Sequence, residues 1–223
     1  MKNLKIFSIL PFLIMVIFLL FASSCEKDDD TNVDSDGYNS ENNTLTDSRD
    51  GKVYKTVTIG EQIWLAENLA FAPSSGNYWA YDNDDANVGT YGYLYDWQTA
   101  LNVCPTGWHL PSDAEWTELT EYLDGQAVSG GKLKATGTIE AGTGLWYAPN
   151  TGATNETGFS ALPGGRRFLV STFDAIGSFG YWWSATEVNT AWAQVQVMIY
   201  SNSHVNGSDA NKELGYSVRC VRN

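Results

Sequence analysis

Histidine is nearly missing from this chain, with two in 223 residues, and there are only three cysteines and six prolines. So few prolines exclude a proline-rich or collagen-like architecture despite 21 glycines. So few cysteines exclude a fold held by a dense disulfide net, and two histidines leave little for a zinc centre or a Ser-His dyad, which would have to recruit His109 or His204. Positive charge is scarce as well: 13 Lys and Arg face 26 Asp and Glu, a formal charge of -13. A chain of that sign repels phosphate backbones, so nucleic acid is not an expected partner. No G-x-S-x-G, HExxH or phosphate loop is present. What the chain does have is apolar residues at 43% and nine tryptophans, enough for a folded, aromatic-rich body.

The one long hydrophobic run, Ile6 to Phe21, follows Lys2 and Lys5 and ends at Ala22-Ser23-Ser24-Cys25. It is short for a membrane span and is closed by small residues, so residues 1–24 read as a signal peptide. Small residues before a cysteine resemble a bacterial lipobox, which implies that Cys25 is acylated and held by outer-membrane lipid. Glu26-Lys27-Asp28-Asp29-Asp30 resembles the lipoprotein export signal of Bacteroidetes and implies display on the cell exterior. Residues 25–50 are rich in Asp, Asn, Ser, Thr and Gly, and are expected to form a disordered acidic tether with a reach of roughly 27 Å.

Residues 51–223 carry all nine tryptophans and suffice for one domain. Val53, Val57 and Ile59 alternate with polar positions, and Gly60-Glu61 separates them from Gln62-Ile63-Trp64-Leu65, the pattern of a β-hairpin. Leu94 to Val103 has helical spacing. Ser112 and Glu115 form an S-x-x-E capping box ahead of Trp116, Leu119 and Leu123, and Asp124-Gly125 ends that helix. Glycine-rich connections to about Gly158 come next, followed by strands expected at 158–163, 181–186, 192–200 and 215–221. With Cys25 set aside, Cys104 and Cys220 remain, either bridged or two buried thiols. A bridge would close about 117 residues and contribute roughly 4 to 5 kcal/mol on the entropic account.

The hairpin DGKVYKTVTIGEQIWLAENL, then YGYLYDW, CPTGWHLPSDAEW, GFSALPGGRR, GYWWSATE and GYSVRCVRN follow one another across residues 51–223. In this order they resemble the Fibrobacter succinogenes major paralogous domain family. WHLPSDAEW and SVRCVR are also similar to segments of the formylglycine-generating sulfatase-modifying enzymes, whose fold is a variant of the C-type lectin fold. The resemblance implies an α+β, C-type-lectin-like domain with a twisted antiparallel sheet, few helices and long loops. The family pattern has two more cysteines where this chain has Ala80 and Val88. The closely spaced cysteine pair of the oxidising enzymes is missing, as are the EPN, QPD and WND triplets of calcium-dependent lectins.

Candidate sites follow from side-chain chemistry. Asp82, Asn83, Asp84 and Asp85 offer clustered oxygen donors of the type calcium takes, though a turn accounts for them equally. Trp79, Tyr81, Trp146, Tyr147, Trp182 and Trp183 are candidates for stacking on sugar rings, or else for core packing, which is the reading for Trp64, Trp97, Trp108 and Trp116. Neighbours on a strand face opposite ways, so at most one of Trp182 and Trp183 is expected to be exposed. Arg219 alternates away from Cys220 and is expected to brace the long loops through a carboxylate or several carbonyls, with Glu115 serving the helix cap. The function expected is a non-catalytic surface lipoprotein that binds a glycan or a partner protein. A scaffold without a small-molecule ligand is the alternative, and a carboxylate-based hydrolase comes third.

Overall fold

The computed structural model describes residues 33–223; the expected signal peptide, Cys25 and the start of the expected tether lie outside them. Fourteen strands and four α-helices run in the order β1 (Tyr38–Asn39), β2 (Thr44–Thr46), β3 (Val53–Ile59), β4 (Gln62–Leu65), β5 (Tyr78–Trp79), α1 (Val88–Tyr91), β6 (Leu94–Tyr95), α2 (Trp97–Ala100), β7 (Trp108–His109), α3 (Asp113–Tyr122) and α4 (Gln126–Leu133), then β8 (Gly164–Arg167), β9 (Phe173–Ile176), β10 (Phe179–Glu187), β11 (Trp192–Ile199), β12 (Val205–Asn211), β13 (Tyr216–Ser217) and β14 (Val221–Arg222). One sheet has the order β1-β2-β3-β4-β14-β7, the other β12-β11-β10-β13-β6-β5 with β8 and β9 attached at β10. The pairing is antiparallel apart from β10 with β13 and with β8. This is an α+β fold rich in strand, with few helices and long loops.

β10 explains why both tryptophans of GYWWSATE are inside. Successive side chains point to opposite faces of a strand, and both faces of β10 are covered. Tyr181 and Trp183 join a cluster with Tyr95, Tyr216 and Val218. Trp182 enters a second cluster with Trp64, Trp116 and Phe159, where Trp64 and Trp116 lie 4.9 Å apart and Trp116 and Trp182 6.5 Å apart between ring centroids. Because two cores use one central strand, simple alternation fails as a guide to exposure. β3 shows the same effect: its first half buries Tyr54 in the first cluster, its last residue, Ile59, enters the second, and Val53 is exposed.

The hairpin forms at the expected residues, with Thr58 opposite Ile63 and Ile59 opposite Gln62. The capping box forms too: Ser112 Oγ accepts from the Glu115 N–H, and Glu115 Oε2 accepts from the Ser112 N–H at 2.7 Å. Elsewhere the expected elements change. Leu94–Tyr95 is a strand, and only Trp97–Ala100 is helical. The glycine-rich stretch after Gly125 contains α4, although a glycine costs a helix about 1 kcal/mol relative to alanine. Packing accounts for it: a Cβ on Gly130 would stand 2.3 Å from the His204 carbonyl oxygen, so only glycine lets α4 approach the chain entering β12. The strand expected at 158–163 is loop with one bridge at Ala161, and the last strand is split into β13 and β14 around Val218-Arg219-Cys220.

The tether is shorter than expected. Residues 33–50 belong to the same compact unit as the rest, with β1 and β2 extending the sheet from β3. Tyr38 and Leu45 are buried in the first cluster. Arg222 ties the segment down by pairing with Asp34 and Asp36 and lying over the Tyr38 ring at 4.3 Å. Two apolar side chains and these ion pairs offset the ordering of a stretch whose composition reads as disordered.

Candidate functional site

Cys104 and Cys220 are joined, with an S–S distance of 2.04 Å. The bridge ties the chain between α2 and β7 to the residue before β14, and so fixes Arg219, one position earlier, from behind. Arg219 is fully buried. Its guanidinium donates to the carbonyl oxygens of Leu65, at 3.2 Å, and of Phe159 and Ser160, and to Asn68 Oδ1 at 3.1–3.2 Å. It also stacks over the Phe159 ring at 4.3 Å. These acceptors lie at the end of β4 and in the loop after it, and in the loop before β8, so one side chain binds both segments. Burial lowers the Arg219 pKa from the usual arginine range, opposed by the nearby Glu67 carboxylate. Asn68 completes the arrangement: its Oδ1 also accepts from Trp182 Nε1, and its Nδ2 donates to the Tyr91 carbonyl and Ser217 Oγ.

Over this brace lies a cleft of about 230 Å³ lined in part by Lys52, Lys55, Glu67, Asn68, Thr90 and Ser160. The loop that carries Ser160 has left-handed backbone at Asn155, Gly158 and Ser160. It is held by Asn155, whose Oδ1 accepts from the Ser160 N–H and whose Nδ2 donates to Ser160 Oγ. The walls are therefore fixed by local hydrogen bonds and by Arg219 beneath.

The aromatic candidates do not form one surface. Tyr81, Trp146, Trp182 and Trp183 are core residues, and the indole N–H groups of the tryptophans donate to the Ala161 carbonyl, Asn68 Oδ1 and the Tyr95 carbonyl respectively. Trp79 is half-buried and covered on a face by the Arg167 guanidinium, 3.8 Å from the ring centroid. Tyr147 is 40% exposed, packed edge-on to Tyr200. Of the six, Tyr147 alone has a broad exposed face. Trp64, Trp97, Trp108 and Trp116 are buried.

At the calcium candidates the structure shows a turn. Asp82, Asn83, Asp84 and Asp85 are exposed, and among the described residues no three His, Cys, Asp or Glu side chains gather as a metal centre requires. Asp84 instead caps the next turn by accepting from the Ala86 N–H at 3.0 Å, and Asn87 donates to the Tyr81 carbonyl. Asp84 and Asn87 thus satisfy backbone groups in a stretch that makes two tight 3-10 turns.

One residue gave no sequence signal. Lys134, the C-cap of α4, is fully buried, and its Nζ donates to the carbonyls of Thr151, Ile199 and Asn202 at 2.8–3.1 Å. Burial pushes its pKa down to about 8. Nothing in Lys132-Leu133-Lys134 distinguishes it from Lys132, which pairs at the surface with Asp124 and Glu156. His109 was visible, but its contacts were not: Nε2 meets Glu115 Oε1 at 2.6 Å and Nδ1 meets Asn223 Oδ1. Burial opposes the Glu115 charge, but the Ser112 N–H and hydroxyl and His109 together hold its pKa below the ordinary value. Both partners of His109 are thus structural.

An α+β body with its loops braced by a buried guanidinium and a disulfide is the class of protein these features define. Residues 57–222 match the family described as the Fibrobacter succinogenes major domain, and the chain belongs to it. No curated protein and no solved structure matches the chain.

Proposed function

We propose that the protein is a non-catalytic surface lipoprotein, anchored to outer-membrane lipid through acylated Cys25, whose domain binds a glycan or a partner protein in the manner of C-type-lectin-like folds. The cleft over Arg219 carries this reading: two loops from distant parts of the sequence are locked in place, at the cost of burying a guanidinium, where they leave a concave surface open to solvent. A scaffold has no need of such a preformed hollow. His109 is committed to Glu115 and Asn223, and among the described residues exposed His204 is bonded through its backbone N–H to Asn202 Oδ1 and pairs its ring with no acid or nucleophile, which favours binding over acid-base chemistry. Seven residues separate Cys25 from Val33, so a lipid-anchored domain would sit within about 28 Å of its anchor at full extension.

The test is a glycan array probed with the full chain purified in detergent. Retention of a defined set of glycans is expected, and retention of none, alongside capture of no surface protein from intact cells, would return the scaffold reading. For the anchor, Cys25→Ala should release the protein from membranes. Intact cells treated with protease should lose the wild-type domain; if it survives, exterior display is wrong.

A further inference from the structure

The charges around the cleft run against those of the rest of the molecule. Residues 33–223 contain 22 Asp and Glu against 10 Lys and Arg. Most of those bases are engaged by carboxylates or carbonyls, and Arg167 by Ser171 Oγ and the Trp79 ring. Lys52 and Lys55 are different. Among the described residues neither ammonium group has an ion pair or a side-chain hydrogen bond, and the Lys52 ammonium only lies 5.2 Å from the Tyr54 ring centroid. Both line the cleft. Beneath it Arg219 adds a third positive charge, held by carbonyls and an amide and not by a carboxylate. The one carboxylate in the lining is Glu67. A strongly acidic protein thus has a local positive field at its braced hollow, and low-dielectric walls strengthen such a field.

Gly89 adds an independent sign. It sits in α1, has no left-handed backbone, and a Cβ built on it meets nothing within 4 Å. Neither backbone geometry nor packing calls for glycine there, and alanine would favour the helix by about 1 kcal/mol. Gly89 lines the cleft, so a side chain there would stand on its wall.

We propose that the cleft binds a carboxylate-bearing sugar, a hexuronic acid unit of an acidic polysaccharide, with its carboxylate between Lys52 and Lys55 above Arg219 and its hydroxyls on Glu67, Thr90 and Ser160. The proposal rests on the binding reading above. A volume of about 230 Å³ is below the roughly 300–1,000 Å³ typical of drug-sized ligands and suits one ring. Glu67 selects the class. Beside two lysines its carboxylate accepts hydrogen bonds from sugar hydroxyls, and it would repel a dianionic phosphate more strongly than a singly charged uronate. Asn68 takes no direct part, since its amide is fully used by Arg219, Trp182, Tyr91 and Ser217.

Amide chemical shifts of the full chain in detergent are to be followed with D-glucuronate, D-glucose and inorganic phosphate in parallel. Glucuronate should move the Gly89, Gly92, Gly158 and Ser160 amides, with an affinity that falls as salt rises. Lys52→Gln with Lys55→Gln, one half-buried and one exposed position, both outside the core clusters, should weaken it at least about tenfold. Gly89→Leu should weaken it with every charge still present. Unmoved amides, equal shifts from glucose or phosphate, or undiminished affinity in the lysine double variant would each overturn the site. A chain that retains glycans on the array while these amides stay still defeats the uronate cleft and leaves the broader binding reading standing.

Discussion

Arg219 and Lys134 are both fully buried cations without a carboxylate partner, and they hold two different parts of the molecule. Arg219 joins the end of β4 and the loop after it to the loop before β8, and Lys134 joins Thr151 to the turn between β11 and β12. The planar guanidinium reaches four acceptors and stacks on Phe159. Burial lowers its pKa to about 9, so it keeps its charge at neutral pH. The ammonium meets three carbonyls, and burial brings its pKa within reach of mild alkali. Beside Arg219 there is also a disulfide, while nothing covalent backs Lys134. The arginine region should therefore be the more rigid, and the lysine region softer and the first to respond as pH rises.

The largest expected effect comes from removing the covalent support. Cys104→Ala with Cys220→Ala should lower stability by roughly 4 kcal/mol on the entropic account and loosen hydrogen-exchange protection at Leu65 to Asn68 before it does so at Thr151. Equal loosening of both would show that the bridge acts on the whole chain alone. Arg219→Met comes next, at about 3 kcal/mol, because several buried carbonyls lose their donor. Thermal unfolding should fall by about 6 to 12 °C, and unchanged melting would mean that the loops hold themselves.

Lys134→Met should cost less, about 1 to 2 kcal/mol at neutral pH, since methionine fills much of the space while three carbonyls lose a donor. Its signature is the pH dependence. The folded chain releases this proton above about 8, whereas the unfolded chain holds it to 10.5. Between those values the unfolded state binds more protons, so Lys134 makes stability rise with pH, by up to about 1.4 kcal/mol per unit. Urea unfolding at pH 7.5 and 9.5 should show that rise in the wild type and a smaller one in the variant. The same slope in both would assign it to other groups. The smallest effect is expected for Arg222→Met: partly exposed pairs with Asp34 and Asp36 are worth about 1 kcal/mol or less. Exchange protection over Tyr38 to Thr46 should fall while the rest of the sheet is unaffected.

Local chemistry carried much of the fold. The β3-β4 hairpin, the Ser112 capping box, the strand over 192–199 and the cysteine pair each depend on residues close in sequence or few in number, and each was readable. Arg219 was legible as a brace because a charge beside a bridged cysteine on a strand must find partners. Which carbonyls it meets was not, since Leu65 and Phe159 lie far from it along the chain.

What the sequence by itself determined is the set of local elements, the pairing available to two cysteines, the acidic balance and the family, because these follow from short-range periodicity, composition and ordered motifs. Only the tertiary structure decided that residues 33–50 join the sheet, that both faces of β10 are covered and hide Trp182 and Trp183, that Asp84 caps a turn, and that Lys134 is buried where Lys132 is not. The reason is the same in each case: burial is settled by the second surface that arrives from elsewhere in the chain, and no window of neighbouring residues contains that surface.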